Sequence, residues 1–257
     1  RVHGKVITNG TITGRMSHQS PNMAQVPAVY SPYGKECRGL WTIDKGYKLV
    51  GVDASGLELR MLAHYMNDKD YINEVINGDI HTSNQVAAGL ESRDEAKTFI
   101  YAFIYGAGNR KIGSIIGGSE RDGERIKEKF LRATPSLRRL REKVERVAQR
   151  RWVRGIDQRK IIIRHPHAAL NTLLQGAGAC VMKKALTLLE EYVITKRIRA
   201  FPVVNVHDEF QYEVQADRAD EFGRLAVQSI RDAGDLLNVR CPLNGEYKIG
   251  NNWSETH

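Results

Sequence analysis

The chain has 257 residues, 41% of them hydrophobic, and a formal charge of +9. That is room for one large domain or two small ones with a real core, and it excludes a disordered or fibrous chain. The positive balance asks for a polyanionic partner, most simply nucleic acid. No apolar run reaches bilayer length and no secretory signal opens the chain, so no membrane partner is expected. Cys37, Cys180 and Cys241 lie far apart with no CxxC pair, against a disulfide framework or zinc knuckle and for a reducing compartment.

Residues 1–40, rich in Gly, Ser, Thr, Asn and Pro, read as short strands and loops. Residues 47–53, YKLVGVD, form a buried strand ending in a carboxylate, Asp53. Ser55 can cap the helix that follows, with Glu58 in its first turns. Residues 68–90 make two short helices joined at Asn77-Gly78; the second starts near Asp79, which can cap it, and carries His81 in its first turn, where an anion is favoured and a plain surface histidine is the alternative.

The stretch 93–108, RDEAKTFIYAFIYGAG, places Arg93, Lys97, Tyr101 and Tyr105 at intervals of four. On a helix these side chains form one slowly winding stripe, two cations and then two rings, while Phe99, Ile100, Ala102, Phe103 and Ile104 pack it into a body. Such a stripe can hold a polyphosphate and stack on a base; a basic end on an ordinary buried helix is the plainer alternative. Gly106 and Gly108 end the helix.

A short helix, a glycine break and an amphipathic helix follow over 108–130, then a strongly basic helix over 136–151. Its acids Glu142 and Glu145 allow local ion pairs, and the excess arginine suits phosphates. Residues 152–164 read as a hairpin about 155–158, and 167–196 as a long helix with Asn171 and Gln175 on one face, amides that could read a minor groove or be buried and satisfied. Residues 201–214, FPVVNVHDEFQYEV, are two strands joined tightly at His207-Asp208-Glu209. A helix over 217–233 and a strand over 246–250 close the chain.

Asp53 and Asp208 both sit where an apolar strand ends. If those strands are neighbours, the carboxylates converge into a site of hard oxygen donors suited to Mg²⁺. A pair of such ions can activate one oxygen and stabilise a leaving one. The stripe would face this site across a cleft, with Arg93 and Lys97 neutralising phosphate charge.

These residues carry a resemblance. VDASGLELR (52–60), RDEAKTFIYAFIYGAG (93–108) and VHDE (206–209) resemble motifs A, B and C of family A DNA polymerases, in particular the T7-like phage replicative enzymes. TITGR with PNMAQVP, NGDIHTSNQ and HAALNTLLQGAG resemble the intervening conserved segments, in the family order, from about residue 7 onward.

The resemblance implies an α+β fold: an antiparallel-sheet palm over 1–66 and 166–257, with helical fingers over 67–165 and the O helix at 93–105. It implies Asp53, Asp208 and the Ala54 carbonyl as ligands of two Mg²⁺, with Mn²⁺ a possible substitute, and Glu209 as a second, less direct motif C acid. Arg93, Lys97 and His81 match phosphate-binding groups, Glu58 the acid that blocks a ribose 2′-hydroxyl, Tyr101 the ring beside the sugar, and Tyr105 the tyrosine at the template side. Arg15, Asn171, Gln175 and His207 match groups that touch the primer-template. Only a few residues precede the TITGR segment, so thumb and exonuclease are expected from elsewhere: the chain reads as a cut portion of a longer polymerase or one chain of a split one, acting in the cytoplasm of a phage-infected bacterium. The expected activity is addition of dNTPs to a primer 3′ end. A binding subunit without catalysis and a Mg²⁺-dependent phosphodiesterase are the alternatives.

Overall fold

A computed structural model describes residues 1–256, which divide into two compact units: 1–57 with 176 onward, and 58–175. The divisions fall inside two helices, α2 (Leu57–Met66) and α9 (Ala169–Lys196). The boundaries that the resemblance implies, 66/67 and 165/166, stand at or near the ends of those helices.

The first unit is built on a four-stranded antiparallel sheet in the order β6-β7-β3-β8. Its strands are β3 (Tyr47–Ala54), β6 (Ala200–Val206), β7 (Glu209–Gln215) and β8 (Gly245–Gly250). Along β3, Val50 and Val52 are wholly buried and stand opposite Tyr212 and Phe210 of β7. That face is covered by α10 (Ala219–Leu236), whose Phe222, Ala226, Ile230 and Ala233 recur at helical spacing and are buried. Gly223 of α10 lets the helix meet Tyr247 of β8, because any Cβ there would strike its ring. Outside the sheet lie a hairpin of β1 (Lys5–Ile7) and β2 (Ser17–Gln19) and a short helix, α1 (Gly34–Gly39). The sequence reads as loop at α1, for its six residues GKECRG include two glycines and show no apolar period.

The second unit is helical. It holds α3 (Lys69–Asn77), α4 (Ile80–Ala88), α5 (Arg93–Ile104), α6 (Asn109–Ile115), α7 (Glu120–Ala133) and α8 (Pro135–Ala148), then the hairpin of β4 (Trp152–Arg154) and β5 (Lys160–Ile162). Asp68 and Asp79 cap α3 and α4, and Ser92 with Glu95 makes a capping box on α5. Phe99 and Phe103 of α5 pack on Phe130 of α7, with ring centroids 5.1, 5.5 and 5.8 Å apart across the three pairs. The basic helix α8 ends at Ala148, three residues before the expected 151, because Arg151 adopts φ +62 and turns the chain into β4. Arg138–Glu142 and Arg141–Glu145 form the local pairs expected of it. Among the described residues no helix is long and apolar enough to cross a membrane.

Candidate active site

The pairing of β3 with β7 sets Asp53 directly opposite Glu209, and the Ala54 N–H donates to the Asp208 carbonyl at 3.0 Å. The two distant acids of the sequence are therefore neighbours at one end of the central strand pair, their Cα atoms about 6–7 Å apart by ladder geometry. Asp208 sits in a two-residue turn between β6 and β7, entered through His207 at φ +57. Asp53 is exposed and Asp208 half-buried. Arg15 and His207 line one small cavity of this unit together with Gly14, Met182, Lys183 and Asn205.

Glu209 differs from both aspartates. Only 4% of it is exposed, and its Oε1 accepts from Trp253 Nε1 and from Gln211 Nε2, each at 2.7 Å. Arg38 Nη1 stands 3.7 Å from Oε2. Neither Arg38 nor Trp253 is visible as a site residue in the sequence: a single arginine in a short helix without apolar period and an indole near the end have nothing to flag them.

The second unit gathers the other group. Arg93 and Lys97 are exposed on the first turns of α5, and Tyr101 is half-buried on the next, its ring 6.3 Å from that of His81 on α4. Tyr105, just past the helix, donates its hydroxyl to Glu58 Oε2 at 2.7 Å. Arg93 Nε lies 2.6 Å from Asp79 Oδ2, while Asp79 Oδ1 accepts from the backbone N–H of His81 and Thr82. Asp79 is thus cap and counter-ion at once, a second duty the sequence does not reveal. The Arg93 guanidinium and these donors hold its carboxyl well below the usual carboxylate range. Burial pushes the His81 imidazole down, and the charges of Arg93 and Lys97 push it further. Its Nδ1 is buried with no hydrogen-bond partner. Three basic groups that repel one another are suited to an anion. Asn171 and Gln175 are half-buried on the part of α9 that belongs to this unit, and Asn171 Oδ1 has no hydrogen-bond partner.

Two carboxylates and a main-chain carbonyl at one strand end are a hard oxygen set. Among the described residues no group of three His, Cys, Asp or Glu could hold a metal. The pair fits an ion that keeps waters and takes phosphate oxygens, such as Mg²⁺, better than a metal caged by protein.

The model of DNA polymerase family A matches residues 1–255. The DNA-directed DNA polymerases of Escherichia phage T7 and Enterobacteria phage T3 are each 42% identical over 294 aligned residues, which take in 100% of this chain and 41% of theirs. The thermostable DNA polymerase I of Thermus filiformis is 30% identical across 99% of this chain and 32% of its own. The polymerase domain of Pol1 from M. smegmatis, solved with DNA primer-template and dNTP, superposes with a TM-score of 0.90 at 22% identity, covering 100% of this chain and 48% of that one. The chain spans about two-fifths of the phage enzymes it matches.

Proposed function

The chain belongs to DNA polymerase family A, and on that premise we propose that it catalyses template-directed DNA synthesis, adding dNTPs to a primer 3′ end. The observation that carries this reading is the ladder that brings Asp53 and Asp208 to one strand end from opposite parts of the chain. Asp53, Asp208 and the Ala54 carbonyl would hold Mg²⁺, with Mn²⁺ a possible substitute. The bound ions would lower the pKa of the attacking 3′-hydroxyl and stabilise charge on the leaving pyrophosphate.

The residues of the second unit bind and orient. Arg93 and Lys97 offer cations to the triphosphate, and His81, kept neutral by its neighbours, can donate one hydrogen bond to it. Tyr101 lies beside the sugar. Glu58, steadied by the Tyr105 hydroxyl, closes the space a 2′-hydroxyl needs, so the substrate is a deoxynucleotide. Arg15, His207, Asn171 and Gln175 take the primer-template through its minor groove. Glu209 has an indirect part. Duplex grip and proofreading are assigned to protein outside these 257 residues, whether continuous with them or on another chain, and the place of action to the cytoplasm of an infected bacterium.

Primer extension tests this. The purified protein, with whatever copurifies, is incubated with labelled primer-template, dNTPs and Mg²⁺, and the primer is expected to lengthen. Asp53→Ala or Asp208→Ala should abolish lengthening and leave DNA binding in place. An unchanged primer would favour a binding subunit, a shortened one a phosphodiesterase, and normal extension by either variant would remove the acids from the chemistry.

A further inference from the structure

Three acidic residues, Asp53, Asp208 and Glu209, stand at one strand end. Partners across a ladder share a face, so Glu209 projects on the same side of the sheet as Asp53, and Asp208 is its chain neighbour. Like charges so placed repel, and a carboxylate next to an ion site is a competing ligand unless something restrains it.

The restraint comes from elsewhere in the same unit. Trp253 follows β8, and its indole N–H meets Glu209 Oε1 at 2.7 Å from a position only 2% exposed. The Gln211 amide donates to the same oxygen at 2.7 Å, and is itself held by the Thr256 hydroxyl, which donates to Gln211 Oε1 at 2.8 Å. The Arg38 guanidinium, 5% exposed, lies 3.7 Å from the other oxygen and 4.4 Å from the centre of the Trp253 ring, and its Nε donates to the Pro27 carbonyl at 2.9 Å. Gly51, opposite Gln211, makes the space: a Cβ there would collide with the Thr256 carbonyl and the Gln211 amide. Burying a carboxylate with a cation and two N–H donors is costly to assemble and costly to break, so the group is held firmly.

We propose that Glu209 is a positioning residue, clamped by Trp253, Gln211 and Arg38 so that Asp53 and Asp208 alone present ligand oxygens, and that the segment 251–256 acts as a brace for the catalytic strand ends. This rests on the polymerase reading above. The brace fixes the residue that directly follows Asp208 and directly faces Asp53. It therefore sets the turn at 207–208 and keeps a third acid out of the ion site.

Trp253→Phe removes the indole N–H and keeps an aromatic ring. The expected result is a maximal rate of extension lowered about fivefold or more, the effect of one lost hydrogen bond to a charged group, with KM for dNTP and the affinity for primer-template each within about twofold. Mn²⁺ binding, followed by electron paramagnetic resonance without DNA or nucleotide, should weaken by about threefold or more. Because Trp253 acts through Glu209, the Trp253→Phe/Glu209→Gln double variant should be no slower than Glu209→Gln alone.

A lowered melting temperature with unchanged rate and unchanged Mn²⁺ affinity would reduce the cluster to ordinary core packing and overturn the proposal. Additive losses in the double variant would do the same. If Trp253→Phe does not fold, Gln211→Met removes the other donor to the same oxygen and carries the same expectations. Should the unaltered protein fail to extend primers, the polymerase reading falls, and the Mn²⁺ titration still decides the brace on its own.

Discussion

Tyr105→Phe deletes one oxygen, the hydroxyl that donates to Glu58 Oε2 at 2.7 Å. A hydrogen bond to a charged group contributes about 1.5–3 kcal/mol when buried. Tyr105 is 48% exposed and Glu58 half-buried, so solvent screening takes the value to about 1 kcal/mol. If Glu58 is the wall against a 2′-hydroxyl, that energy measures how firmly the wall stands. Its loss should cut discrimination between dNTP and rNTP about fivefold. The assay is single-nucleotide incorporation, with kcat/KM for a matched dNTP and the corresponding rNTP. Glu58→Ala should cut the ratio further, and adding Tyr105→Phe to it should change nothing more, because the bond needs both ends. A ratio within about twofold of the unaltered protein, or an additive double variant, would show that Tyr105 does not work through Glu58 and would refute the reasoning.

Three other outcomes are expected. The His81 imidazole, lowered from 6.5 by burial, Arg93 and Lys97, should titrate below that value by NMR, and a bound triphosphate should move it upward. The depressed folded-state pKa means that the unfolded chain binds more protons just below pH 6.5, so stability falls with falling pH through that window; His81→Gln should flatten the fall, and an unaltered slope would contradict it. Phe130→Ala, at a wholly buried ring between Phe99 and Phe103, should cost about 3–5 kcal/mol in denaturant unfolding of the helical unit, and a loss under about 1.5 kcal/mol would mean that α5 is not seated on α7 as described. Asp79→Asn keeps an oxygen for the α4 cap and removes the charge opposite Arg93, so KM for dNTP should fall, by at most about fivefold for an exposed pair, with kcat unchanged; a raised KM would make Asp79 a support for Arg93 rather than a competitor.

What was legible in the sequence was whatever repeats locally. The strand over 47–53, the cap at Asp79, the helical stripe at 93, 97 and 101, and the tight turn at 207–208 each follow from spacing within a dozen residues, and each stands in the structure, with Tyr105 one place past the end of α5. What was not legible depends on partners far apart in the chain. The clamp on Glu209 joins residues 38, 209, 211 and 253, and no period links an early arginine to a late tryptophan. Helix α1 was hidden for the opposite reason: its sequence is poor in helix signal, and the Arg38 bond to the Pro27 carbonyl ties it to the preceding loop. The adjacency of Asp53 and Asp208 lay between these cases. Two apolar strands ending in acids suggested it, but only the register of β3 on β7 decides that both acids reach the same end, since a slip of one residue would send Asp53 to the other face.

Asp79 divides its two oxygens between the fold and the cation of the proposed triphosphate site. Its Oδ1 faces the backbone N–H groups of His81 and Thr82, and its Oδ2 faces Arg93 and the Thr82 hydroxyl. The helix start is therefore secured by one oxygen and the cation by the other. A phosphate that took Arg93 away would leave the cap of α4 intact, and with it the placement of His81 two residues on. On the proposed reading such an exchange would trade one anion for another around Arg93, so the guanidinium would stay paired, and the cost would fall on a solvent-exposed ion pair rather than on the buried rings that seat α5.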